Sequence, residues 1–182
     1  MTIEMIAQAV GIVAMFFNIF SYQQKSGKGV ITFQLFGASL FAVNFLMIGA
    51  FSGGLLNIIA VIRAILFLKK DKFKTDNIPW FVVFLCSYIA SYVLTFTVFG
   101  KPFTVVNALF EILPVIGMVA THLAFRHDDA GIIRRFGFVS SCSWIIYNIW
   151  VLSIGAIVCE AFSIISIFIG MWRLDRKNTG PH

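Results

Sequence analysis

Gly54-Leu55-Leu56-Asn57-Ile58-Ile59-Ala60-Val61-Ile62-Arg63-Ala64-Ile65-Leu66-Phe67-Leu68 runs directly into Lys69-Lys70-Asp71-Lys72-Phe73-Lys74. An apolar run closed by a lysine cluster reads as a helix that crosses a bilayer and stops at its cytoplasmic face. Outward from it lie six more apolar stretches, at 5–22, 31–50, 79–99, 103–124, 135–154 and 156–172. Each is close to the length an α-helix needs to cross a hydrocarbon core of about 30 Å. Taken as seven crossings, they put twelve of the fourteen Lys and Arg residues on one side. These are Lys25, Lys28, Lys69, Lys70, Lys72, Lys74, Arg126, Arg134, Arg135, Arg173, Arg176 and Lys177, whereas Lys101 lies opposite and Arg63 lies inside a span. The positive-inside rule then predicts an external amino end and a cytoplasmic carboxyl end, which needs an odd number of helices.

Composition agrees: 59% of residues are hydrophobic and the mean hydropathy is +0.92, far above the values of a soluble domain. The net charge of +6 sits in short loops beside helix ends. It reads as a topology signal and a contact to anionic lipid at the cytoplasmic face, not as a nucleic-acid surface. The first span has no basic n-region and carries Glu4, so it is not read as a signal peptide. Cys86, Cys142 and Cys159 are isolated within spans and imply neither a disulfide nor a zinc site.

An internal repeat organises the chain. Val10-Gly11-Ile12-Val13-Ala14 matches Ile116-Gly117-Met118-Val119-Ala120, and in the same register Asn44 matches Asn148. With one gap in the following turn, Asn57 falls on Glu160 and Arg63 on Ser166. Both units end in a basic run, at Lys69–Lys72 and Arg173–Lys177. A unit of three helices that starts outside ends inside, so a second copy of like orientation needs one linking span, and 79–99 supplies it. The expected fold is therefore an all-α membrane protein with seven transmembrane helices in a 3+1+3 arrangement of two parallel triple-helix bundles. Its parts are a first bundle at 1–70, a cytoplasmic loop and linker helix at 71–100, a second bundle at 101–177 and a tail at 178–182. In the linker, Ser87 and Ser91 stand at the small-xxx-small spacing of close helix packing, so it reads as scaffold.

This plan resembles the SWEET, SemiSWEET and PnuC transporter superfamily. Tyr22-Gln23-Gln24-Lys25-Ser26-Gly27-Lys28-Gly29-Val30 is similar to the PQ-loop of those units, with Tyr in place of the proline. A closer resemblance is to the YgjV-type family of bacterial inner-membrane proteins. It is carried by Glu111–Gly117, by Ser140-Ser141-Cys142-Ser143-Trp144-Ile145-Ile146-Tyr147-Asn148-Ile149-Trp150, by Ser153-Ile154-Gly155 and by Glu160. The resemblance implies a multi-pass protein of the bacterial inner membrane. In the SWEET pattern the third helix of a unit lies between the first and second and carries a substrate-contacting Asn. Asn57 matches that position, and Glu160 replaces it in the second unit. SWEET-type units bend at several prolines, whereas Pro114 is the sole proline in a bundle span here; Gly11, Gly37, Gly117 and Gly137 are the other candidate bending points.

Arg63, Glu111 and Glu160 lie within apolar spans, where each charge needs a partner or a wet cavity. At about 1.5 Å per residue, Asn57 and Glu160 lie about 5–6 Å in from the external end, Asn44 and Asn148 about 9 Å, and Glu111 about 12 Å. Five spans thus aim polar groups at one layer. The candidate substrate-binding set is Asn44, Asn57, Arg63, Glu111, Trp144, Asn148 and Glu160, with Trp144 one turn before Asn148 and placed to stack on a planar ligand. The competing structural reading pairs Arg63 with Glu111 or Glu160 to fix how the bundles meet. His122 and His127 are five apart, on different helix faces, so no metal site is expected.

A facilitative, alternating-access carrier for a small polar substrate such as a sugar, nucleoside or zwitterion is the leading expectation. An intramembrane metal enzyme would need several His and Asp ligands, but only His122 falls in a span and neither HExxH nor GxSxG occurs. The last span holds no Lys for a retinal. The chain is therefore expected to be no enzyme and to need no cofactor. An assembly protein whose buried charges join subunits is the alternative, and a homo-oligomer stays open.

Overall fold

The computed structural model describes residues 3–47, 51–150 and 154–175. Within them the chain is all helix: α1 Ile3–Ser21, α2 Gly27–Met47, α3 Phe51–Leu68, a one-turn α4 Lys70–Phe73, α5 Ile78–Thr97, α6 Val105–Phe125, α7 Ala130–Trp150 and α8 Ile154–Gly170. A π-helical turn at Met171–Asp175 closes the described chain. The seven apolar stretches all become helices. α2 and α7 begin four or five residues earlier than apolarity alone suggests, because Ser26 Oγ accepts from Gly29 N at 3.1 Å and Asp129 Oδ1 from Ile132 N at 2.9 Å, capping each start. Four spans, Gly27–Met47, Ile78–Thr97, Val105–Phe125 and Ala156–Asp175, are each long and apolar enough to cross a membrane. Met5–Ser21 and Gly53–Leu68 are apolar but shorter. The polarity of α7 points inward: Arg134, Ser140, Ser141, Ser143 and Asn148 are all buried. The turn at Ser153, Arg176, Lys177 and the tail at 178–182 lie outside the described residues.

Local chemistry sets the ends. Thr104 caps α6 by accepting from the Asn107 amide at 3.1 Å. Pro79 enters α5 in its first turn, where a missing N–H costs nothing. Gly100 turns the chain between α5 and α6 at φ 69°, a conformation that glycine adopts without strain.

Within each half, neighbours in sequence are neighbours in space. α2 packs along both α1 and α3, and α7 packs along both α6 and α8. This corrects the expectation that the third helix lies in the middle of a unit: the second does, since α1 and α3 share no comparable contact. Short connections at 22–26 and 126–129 favour antiparallel hairpins, and small residues let the backbones approach. Fully buried Ala7 and Ala14 flank Gly11 on α1. Opposite them on α2, a Cβ at Gly37 would stand 3.3 Å from the Ala14 carbonyl. The halves meet where α1 packs on α8, α3 on α6, and α2 on α7. α5 lies on α3 and α6 through a buried stripe of Phe84, Tyr88, Ser91 and Thr95.

At the end of the molecule that carries the basic loops, Val30, Ile31, Ala64, Phe67, Ala124, Phe125, Ala130 and Ile133 form one buried apolar cluster drawn from α2, α3, α6 and α7. Above it the six helices α1, α2, α3, α6, α7 and α8 enclose a cavity.

Candidate binding cavity

The cavity has a volume of about 580 Å³, within the usual range for small-molecule sites. Six of the seven sequence-predicted residues line it: Asn44, Asn57, Arg63, Trp144, Asn148 and Glu160. Glu111 does not. It is buried between helices and held by an ion pair to Lys101, with the Tyr147 hydroxyl 3.3 Å from the same oxygen. Lys101 precedes α6 and its long side chain reaches the carboxylate, so it neutralises the buried acid.

Arg63 likewise does not pair with either glutamate. It is 4% exposed, and its Nη1 donates to the Tyr88 hydroxyl and the Met118 carbonyl, both at 2.9 Å. Its guanidinium also sits 5.0 Å from the centre of the Phe125 ring. Its Nε has no hydrogen-bond partner. Arg63 occupies the α3 wall, with α5 and α6 behind it. No ion pair to Arg63 occurs among the described residues.

Glu160 stands on the α8 wall. Ser141 of α7 and Tyr22 line the same cavity. Gly137 makes room for the tyrosine, since a Cβ there would fall 2.6 Å from the Tyr22 ring. Gly11 backs onto the Asn44 amide, which donates to the Ala7 carbonyl at 2.7 Å, while its repeat mate Gly117 backs onto Trp144. Gly11 and Gly117, read as bending points, serve here as sockets for cavity side chains. α6 continues through Pro114 without a break.

A latch beneath the cavity escaped the sequence reading. Arg134, 2% exposed, donates through Nη1 to the Gln24 carbonyl at 2.8 Å and the Tyr22 carbonyl at 3.3 Å. Its other face forms an ion pair with Asp175. It thereby ties the α1–α2 turn to α7 and the last described turn. Gln23 adds hydrogen bonds from its amide to the Ser166 carbonyl at 2.6 Å and hydroxyl at 2.9 Å. Gly27 N donates to the Asp128 carbonyl at 3.0 Å, and Lys70 pairs with the Asp128 carboxylate at 2.6 Å. Both halves of the chain contribute to every one of these contacts except the Arg134–Asp175 pair.

Polar groups from six helices, walled into the interior of an apolar helical protein, match a membrane family in kind. A model described as a bacterial inner membrane protein, YgjV, matches residues 5–178. The chain belongs to this YgjV family. It is similar to inner membrane protein YgjV of Escherichia coli (strain K12), 23% identical over 184 residues that cover 100% of this chain and 92% of the relative. No solved structure matches it. For a YgjV-family chain the inward polar residues of α3, α7 and α8 were legible as charges and amides in apolar runs. Tyr22, Tyr88, Ser141 and Arg134 were not. Tyr88 sits in the linker, and Arg134 beside exposed Arg135 reads as one more loop cation. The available signal was spacing: Arg134 and Gly137 stand three apart on one α7 face.

His122, mid-way between phenylalanines, is fully buried with neither ring nitrogen hydrogen-bonded, and the Phe67, Phe81 and Phe84 rings surround it. His127 is exposed. No group of three His, Cys, Asp or Glu side chains converges among the described residues.

Proposed function

We propose that this inner-membrane protein is a small-molecule transporter with seven spans in a 3+1+3 plan, its amino end outside and carboxyl end cytoplasmic. The carrying observation is the 580 Å³ cavity, walled by six helices from both halves, with Arg63 and Glu160 on different walls and not paired to each other. Buried charges that served only to fasten two bundles would satisfy one another. Charges held apart across a void are arranged for something that enters it.

The repeated contact pattern, α2 between α1 and α3 and α7 between α6 and α8, supports two like units with α5 as the linking span. A two-unit carrier of the SWEET or PnuC kind rocks its halves about a central site, and the present arrangement fits that motion. The basic end, read as cytoplasmic, is shut by the apolar cluster and by the Arg134 latch. Substrate therefore enters from the external side in this state, and release requires the latch contacts to part. The lysines and arginines at the closed end are placed to meet anionic headgroups.

The test is substrate uptake by proteoliposomes across sugars, nucleosides and small zwitterions. A Glu160→Gln protein is expected to insert and fold normally while losing at least about 90% of the uptake of whichever compound the parent carries. Unchanged uptake with a lowered thermal midpoint makes Glu160 structural and removes the binding-site reading.

A further inference from the structure

From the two uncompensated charges in the cavity walls, we infer that the site takes a zwitterion: a compact molecule with a carboxylate for Arg63 and an ammonium or quaternary ammonium for Glu160. The inference rests on the transporter reading and narrows its substrate class.

Arg63 is a cation shielded from solvent, with Tyr88 and Met118 fixing one side of its fork and Nε left without an acceptor. Those two partners are neutral, so they orient the guanidinium without discharging it. A guanidinium whose charge is left unneutralised in a cavity wall attracts a carboxylate, the group that best matches its planar fork. Glu160 lines the same void from α8, as do Ser141 and Tyr22, and no cation is paired to it among the described residues.

Charge balance then selects the ligand. A sugar or nucleoside leaves both wall charges uncompensated. A simple anion answers Arg63 but adds repulsion at Glu160, and a simple amine does the reverse. Only a molecule carrying both signs neutralises each wall, and the cavity of about 580 Å³ has room for one of amino-acid or betaine size.

The experiment is thermal stabilisation of the purified full-length protein in detergent. The probes are the proteinogenic amino acids and glycine betaine, each beside its decarboxylated amine and its deaminated acid, with glucose and ribonucleosides as neutral controls. At least one zwitterion is expected to raise the midpoint, with each one-charge counterpart needing about tenfold more compound or greater for the same shift, the cost of one lost charge contact. Glu160→Gln should abolish the preference for the zwitterion over its acid. If Arg63→Gln fails to fold, Glu160→Gln alone carries the test, because Glu160 stands on α8 and its substitution leaves the Arg63 wall on α3 intact. Stabilisation and uptake of a sugar or nucleoside ahead of every zwitterion overturns this inference and leaves the transporter standing. Binding and uptake of nothing in the panel overturns both.

Discussion

At the scale of single residues, Arg63 was expected to be fixed by a carboxylate and is fixed instead by a phenol and a backbone carbonyl. Its removal still costs stability, though by a different route. Arg63→Ala strips two hydrogen bonds to a charged donor and leaves Tyr88, 1% exposed, with an unanswered hydroxyl. Each such bond contributes about 1.5–3 kcal/mol, so unfolding in mild detergent should become easier by about 2–4 kcal/mol. Double substitution with Tyr88→Phe should recover part of that loss, because the orphaned hydroxyl goes with it. A single Arg63→Ala protein as stable as the parent contradicts the bonding described. The three charges were visible from sequence because any charge in an apolar run is conspicuous. Their partners were not, since which face of a helix meets which neighbour depends on packing, and Tyr88 reaches Arg63 only because α5 lies against α3.

Among elements, the α1–α2 turn, the start of α7 and the turn after α8 behave as one device. The sequence marks the stretch Tyr22–Val30 as a loop motif, and structure makes it the latch strand on which Arg134 closes. Arg134→Ala removes two carbonyl contacts and the Asp175 pair together, leaving Asp175 and the Gln24 carbonyl bare. In proteoliposomes this should raise reactivity or leak at the basic end while Glu160→Gln does not. Arg134→Lys retains charge but loses the fork, and should fall between parent and alanine variant. If Arg134→Ala transports and seals like the parent, the latch is ornament. Helix existence was legible throughout, because runs of apolar residues have no other stable form in lipid. Helix order in space was not: Gly11, Gly37 and Gly117 look alike in sequence, yet they are contact points for three different side chains.

For the whole molecule, six helices surround an interior cavity that is sealed at the end carrying the basic loops. Asn44, Asn148, Asn57 and Glu160, matched in one register of the sequence, all line the cavity. Glu111 broke the pattern because Lys101, the one basic residue on the opposite side, captures it. The central claim is that this cavity opens to the two sides of the membrane in turn. Its most direct measurement is labelling of a single cysteine, Ala60→Cys on the α3 wall, in a protein whose three native cysteines are replaced by alanine. A membrane-impermeant thiol reagent should modify it from the periplasmic side, and should modify it from the cytoplasmic side faster once Arg134→Ala releases the latch. A cysteine that resists the reagent from both sides, with the latch intact and with it released, would mean a sealed structural interior and contradict the account.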